Sequence, residues 1–199
     1  MTKVKICGLS DRAAIETAIE ADVDFIGFVF APSRRQVTAD QASALVEGLT
    51  TKVKKIGVFV SPDKEELEEA ISKVGLDLIQ IHGDYDEKVC LSFGLPVIRA
   101  ISVKEGQVPK LEKADYYLFD APVSGAGETF DWSALDITHV DKPVFIAGGL
   151  TVDNVKSCIN HFQPYAVDVS SGVETDGKKD LAKISAFIGE VKNDISRTR

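Results

Sequence analysis

Eight short apolar runs recur along the chain, and polar segments punctuated by glycine follow most of them. The runs are Lys3–Cys7, Phe25–Phe30, Ile56–Val60, Leu78–His82, Val97–Ile101, Tyr116–Asp120, Val144–Ala147 and Ala166–Val169. Several are almost continuously apolar, as in Phe25-Ile26-Gly27-Phe28-Val29-Phe30. A strand with one wet face alternates polar and apolar residues. A strand covered on both faces does not, and parallel sheets are built from such strands. Successive runs begin every ~18–30 residues, the spacing of a strand plus a crossover helix. Eight such units with right-handed crossovers close into an α/β, single-domain (β/α)8 TIM barrel. The rival is an open doubly wound sheet, but no Gly-rich dinucleotide fingerprint follows the first run. With 199 residues the chain is short for a fold of ~250 residues. Tight loops and a short fifth or sixth helix are therefore expected. The barrel should occupy residues 1–193, with 194–199 as a frayed tail.

Helix signals lie between the runs. Thr38 and Gln41 form a capping box. Ser61-Pro62 reads as an N-cap followed by proline at the first helical position, leading into Glu65–Val74, which stops at Gly75. Asp84–Phe93 stops at Gly94, Thr151 opens a helix to about Asn160, and Asp180–Lys192 is the last. The connections Ser102–Ala114 and Ala121–Val140 have weak helical signals.

Charge and cysteine content narrow the function. The net charge is −8, from 31 acidic and 23 basic residues. Such a surface gains nothing from counterion release, which argues against nucleic acid, and it is repelled by anionic membranes. No run approaches the roughly 20 apolar residues of a membrane span, and no signal-peptide segment opens the chain. Three cysteines (Cys7, Cys90 and Cys158) without paired spacing argue against a disulfide framework and for a reducing, cytoplasmic setting. No His/Cys cluster has zinc spacing, so no metal site is expected. No exposed apolar face stands out, which favours a monomer.

If the runs are parallel strands, their C-terminal ends share one rim. Along the first strand Lys3, Lys5 and Cys7 share one face, and Val4 and Ile6 the other. The apolar face meets the helices, so Lys5 and Cys7 point into the barrel. Cys7 could be a small core residue. At the rim, two residues from a lysine that would favour the thiolate, it is also a candidate base. Asp120 ends a buried strand, where desolvation would raise its pKa and suit it to general acid work. Asp168 ends the eighth strand similarly, in an orienting or hydrogen-bonding role or as a proton carrier. Gly148-Gly149 and Ser170-Ser171-Gly172 follow strands seven and eight, where barrels commonly cradle phosphate with backbone N–H groups. Of Arg34 and Arg35, one aimed inward could clamp a substrate carboxylate. Gln80 and His82 alternate towards the same lumen. Spacing alone does not make His82 a base.

At these residues the chain resembles the phosphoribosylanthranilate isomerase family of tryptophan biosynthesis. The matching stretches are Lys5-Ile6-Cys7-Gly8-Leu9, Gly27-Phe28-Val29-Phe30, Gly57-Val58-Phe59-Val60, Gln80-Ile81-His82-Gly83, Gly127-Glu128-Thr129-Phe130-Asp131-Trp132, Gly148-Gly149-Leu150 and Asp168-Val169-Ser170-Ser171-Gly172-Val173-Glu174. The resemblance implies an intramolecular oxidoreductase, an aldose–ketose isomerase catalysing an Amadori rearrangement of N-(5'-phosphoribosyl)anthranilate. It implies Cys7 as base, Asp120 as acid and Arg35 as the grip on the anthranilate carboxylate, with Arg34 as the alternative. Gln80, His82, Gly127 and Asp168 would contact substrate, and Gly148, Gly149, Ser170, Ser171 and Gly172 would hold its phosphate. The partner is a small phosphorylated molecule, and the chemistry requires no cofactor or metal. Two other readings share the phosphate cradle. One is a different phosphosugar isomerase; related barrels use paired aspartates, where this chain has Cys7. The other is a non-catalytic phosphosugar-binding barrel, which would need neither Cys7 nor Asp120.

Overall fold

The computed structural model describes residues 1–84, 86–102, 113–120 and 135–193. Eight parallel strands close on themselves in chain order. They are β1 (Lys3–Cys7), β2 (Phe25–Val29), β3 (Lys54–Val60), β4 (Leu78–His82), β5 (Val97–Ser102), β6 (Tyr116–Asp120), β7 (Val144–Ala147) and β8 (Ala166–Val169). Closure is made by β1 against β8, with Lys5 opposite Asp168 in the ladder. The helices are α1 (Arg12–Glu20), α2 (Ala39–Val46), α3 (Lys64–Val74), α4 (Glu87–Leu91), α5 (Val155–Phe162) and α6 (Leu181–Lys192). None is long and apolar enough to cross a membrane, among the described residues.

Alternation along each strand divides the core in two. Outward side chains such as Ile6, Phe28, Ile79, Phe119 and Ile146 pack with helix residues including Ile15, Leu67 and Phe187. Inward side chains such as Phe25, Ile56, Val58, Ile98, Leu118 and Phe145 fill the barrel. Among them are three buried polar groups, Lys5, Gln80 and Asp168. Phe25, Tyr116, Phe145 and Tyr165 contact one another in tilted and edge-on arrangements within this inner core. Aromatic pairs prefer that geometry to a face-to-face sandwich.

The expected capping box at Thr38 and Gln41 is present, and α3 ends at Gly75 in the left-handed region. The start of α3 differs from expectation. Asp63, not Ser61, is the N-cap: its carboxylate accepts from Glu66 N–H and the Glu66 side chain answers at Asp63 N–H. Ser61 has a φ of 47° and its hydroxyl accepts from Asp84 N–H instead. The reciprocal box therefore outcompetes the Ser-Pro signal. The helix expected from Thr151 begins four residues later, because the Asn154 side chain bonds Thr151 N–H and Gly149 C=O and holds those residues in a turn. Among the described residues no helix follows β5 or β6. The short fifth or sixth helix expected there falls mostly on 103–112 and 121–134, outside the described residues, as do 194–199.

One element had no sequence signal: a hairpin of β9 (Glu174–Thr175) and β10 (Lys178–Lys179), entered through a 3-10 turn at Ser171–Val173. Gly172 makes that turn possible. A Cβ there would stand 1.8 Å from the Leu150 carbonyl oxygen, which is backbone and has little freedom to move. Gly172→Ala is expected to destabilise the fold by roughly 3 kcal/mol, the upper range for inserting a methyl into packed structure. Urea unfolding should show a lower midpoint with an unchanged slope; an unaltered midpoint would contradict this packing.

Candidate active site

The C-terminal ends of the strands surround a cavity of about 320 Å³. Cys7, Arg35, Gln80, His82, Asp120, Gly148, Gly149, Asp168, Ser170, Ser171 and Gly172 all line it, so these expected site residues do converge. Gly127 lies outside the described residues. Arg34 does not reach this cavity; it is half exposed and pairs with Glu174 from the outer side. The inner face of the barrel supplies an apolar part of the lining through Val58, Leu118 and Ala147.

Below the cavity runs a chain of buried polar contacts. The Lys5 ammonium donates to Gln80 Oε1 at 2.6 Å and to Asp168 Oδ2 at 2.7 Å. Gln80 Nε2 then meets His82 Nε2 at 2.8 Å. Because the Gln80 amide donates there, the imidazole accepts at that nitrogen. Burial first, then the cations Lys5 and Arg99, lower the His82 pKa to about 4. His82 is therefore a neutral imidazole near pH 7. The other Asp168 oxygen, Oδ1, is buried without a hydrogen-bond partner among the described residues. It belongs to a residue of the cavity wall, and an unpaired buried acceptor is costly unless a ligand satisfies it.

The two candidate proton carriers lie in different fields. Burial pushes the Asp120 carboxyl up, the Asp168 charge pushes it further, and Lys5 opposes both. This matches the expectation for a carboxyl at the end of a buried strand. Cys7 departs from expectation. Burial pushes its thiol up, with Lys5 and Lys179 opposing and Asp168 reinforcing. The nearby lysine does favour the thiolate, but desolvation outweighs it, so the thiol pKa is raised rather than lowered.

Two polar residues at the rim carried no individual signal in the sequence. Glu174 and Lys179, on β9 and β10, each expose only 5% of their side chains. Glu174 accepts from Arg35 Nε at 2.6 Å and Arg35 Nη2 at 3.0 Å. Burial works against its charge, yet the hydrogen bonds from Arg35 and Lys179 hold its carboxyl down at about 2. Lys179 also donates to the Ser170 carbonyl at 2.8 Å, and the Ser170 hydroxyl donates to the Cys7 carbonyl at 3.1 Å. Glu174 closes the last of the matching stretches without a role of its own there, and Lys179 follows it by five residues. Among the described residues no group of three or more His, Cys, Asp or Glu side chains is placed to hold a metal ion.

This rim carries an acid, a thiol, an inward arginine and two glycine-bearing loops after β7 and β8. Known proteins resemble the chain along its whole length. The family model for N-(5'-phosphoribosyl)anthranilate (PRA) isomerase matches residues 4–190. The N-(5'-phosphoribosyl)anthranilate isomerase of Streptococcus mutans is 59% identical over 192 residues, covering 96% of this chain and all of the relative. The crystal structure of phosphoribosyl anthranilate isomerase from Thermotoga maritima superposes with a TM-score of 0.84 at 33% identity, covering 97% of this chain and all of that one. A further phosphoribosyl anthranilate isomerase structure contains reduced 1-(o-carboxyphenylamino)-1-deoxyribulose 5-phosphate. It is 30% identical with a TM-score of 0.78 and covers the same shares. The chain belongs to the N-(5'-phosphoribosyl)anthranilate isomerase family of enzymes.

Proposed function

We propose that this isomerase converts N-(5'-phosphoribosyl)anthranilate to 1-(2-carboxyphenylamino)-1-deoxyribulose 5-phosphate by an Amadori rearrangement. Asp120 is the general acid and Cys7 the general base. The observation that carries the reading is one cavity shared by a protonatable carboxyl, a thiol and the loops after β7 and β8. Asp120 donates its proton to the furanose ring oxygen. The C1'–O bond breaks and the nitrogen lone pair forms an iminium. Cys7 thiolate removes the C2' proton, and the electron pair moves to give an enolamine, which tautomerises to the ketone. C1' is reduced as C2' is oxidised within one molecule, so no external electron acceptor enters the balance.

Burial and the Asp168 charge support the acid assignment, because both favour a proton on Asp120. Lys5 and Lys179 support the base assignment, because both stabilise a Cys7 thiolate against desolvation. Arg35 is assigned the anthranilate carboxylate, which suits its planar fork. The phosphate is assigned to Gly148, Gly149 and Ser170-Ser171-Gly172, the position where barrels commonly bind it. Gln80, His82 and Asp168 remain for the ribose and the bridging nitrogen.

The purified protein should consume N-(5'-phosphoribosyl)anthranilate, followed by loss of its fluorescence, without added cofactor; no turnover would reject the reading. Cys7→Ser and Asp120→Asn should each lower kcat at least ~10²-fold, the lower range for a positioned acid or base. For Asp120→Asn, substrate affinity should stay within about tenfold, ~1.4 kcal/mol. Lost affinity with intact turnover would make Asp120 a binding residue and move the acid role to Asp168.

The pH profile follows from the two directions. Activity needs Asp120 protonated and Cys7 ionised, and both groups are raised from their ordinary values. Below the Asp120 pKa, kcat/KM gains tenfold per pH unit as thiolate forms. Between the two pKa values, thiolate gain and carboxyl loss cancel, and above the Cys7 pKa the rate falls. The profile of kcat/KM, which reports the free enzyme, should be a broad plateau. Its bends should lie above the ordinary ~3.9 of aspartate and ~8.5 of cysteine. A narrow bell centred on neutrality would contradict these assignments.

A further inference from the structure

Glu174 holds Arg35 by one edge of the guanidinium. The two bonds to Nε and Nη2 form a side-on pair, which leaves the end-on fork of Nη1 and the second Nη2 hydrogen. Among the described residues no acceptor meets Nη1. A planar guanidinium presents two such bidentate edges, and filling one leaves the other oriented in the same plane.

The stem of Arg35 packs on the backbone of Gly8. Arg35 Cδ passes over Gly8, the residue next to Cys7, where a Cβ would come within 2.5 Å. Gly8 also has a φ of +74°, so this close approach is built on a backbone shape that suits glycine. The carboxylate of Glu174 is in turn braced. Lys179 ties its Oε1 at 2.9 Å and the Ser170 carbonyl at 2.8 Å. Ser170 reaches the Cys7 carbonyl. An unbroken set of contacts therefore sets the guanidinium relative to the thiol. Arg34 reaches the same carboxylate from outside and is half exposed, so it neither lines the cavity nor shares this fixation.

We propose that Glu174 is a positioning residue that aligns the free edge of Arg35 to receive a substrate carboxylate. This rests on the assignment of Arg35 above. An arginine held at its head by a carboxylate loses less rotamer freedom when a ligand binds, so its recognition of a planar carboxylate is strengthened in advance. The effect is specific to ligands bearing the carboxylate, which separates positioning from a general contribution to folding.

The test compares two stable probes by calorimetry: reduced 1-(o-carboxyphenylamino)-1-deoxyribulose 5-phosphate and the same compound without its ring carboxylate. The ratio of their dissociation constants reads the carboxylate contribution alone. In Glu174→Gln that ratio should fall at least tenfold while the carboxylate-free probe binds within about threefold of the unaltered protein. Glu174→Asp keeps the charge but stops one methylene short, and should lower the ratio about threefold or more. It serves also if Glu174→Gln does not fold. A folded variant with an unchanged or increased ratio would overturn the proposal, and an increase would make Glu174 a competitor for Arg35. Equal weakening of both probes would reduce Glu174 to a structural role. Turnover of N-(5'-phosphoribosyl)anthranilate by the unaltered protein is measured alongside. Its absence rejects the proposed function, whereas turnover with an unchanged ratio rejects only the role of Glu174.

Discussion

The ion pair between Lys5 and Asp168, buried inside the barrel, is the interaction on which the rest of the site depends. It joins β1 to β8, the seam where the barrel closes, and Lys5 extends it to β4 through Gln80. Removing two charges from water is costly, so the pair is weak evidence for stability; removing one partner alone would cost about 3–5 kcal/mol. Burial lowers the pKa of Lys5, but Asp168 and Cys7 more than offset it, so the ammonium is retained. That one buried cation acts on the other groups of the rim. It stabilises a thiolate at Cys7, adds to the burial that keeps His82 neutral and restrains the upward shift of Asp120.

The same pair acts on both candidate proton carriers. Burial raises the Asp168 carboxyl while Lys5 and Lys179 oppose it, and a charge on Asp168 raises both Asp120 and Cys7. For Asp120 this favours the protonated acid. For Cys7 it is a cost, and the cations on two sides, Lys5 beneath and Lys179 at the edge, oppose it. The β9–β10 hairpin is thus part of the site. It brings one carboxylate and one ammonium, each almost wholly buried, to the rim between Ser170 and Arg35.

The strands were legible in the sequence because runs such as Phe25–Val29 and Tyr116–Asp120 are buried on both faces and carry few polar residues. The rim followed from them, since a strand's last residue locates its chemistry, and Cys7, Asp120 and the two glycine motifs were found in that way. Other features were illegible for physical reasons. Two-residue strands such as Lys178–Lys179 are too short to show a period. The Ser61-Pro62 and Asp63–Glu66 signals compete for one helix start, and only the reciprocal hydrogen bonds decide between them. The choice between Arg34 and Arg35 depends on which side of Glu174 each approaches. The raised thiol of Cys7 is a balance of burial against nearby cations, and spacing supplies the cations without the burial.

The ionisation of Cys7 in a Lys5→Met variant tests this account most directly, because methionine fills a similar volume without the charge. The rate of Cys7 alkylation by iodoacetamide would be followed against pH by mass spectrometry. Cys90 and Cys158 are almost wholly buried, so their lack of reaction reports that the barrel stays closed. With Lys5 as the principal cation opposing desolvation, the apparent Cys7 pKa should rise above that of the unaltered protein. An unchanged or lower Cys7 pKa in the closed barrel would contradict the central place given to the Lys5–Asp168 pair.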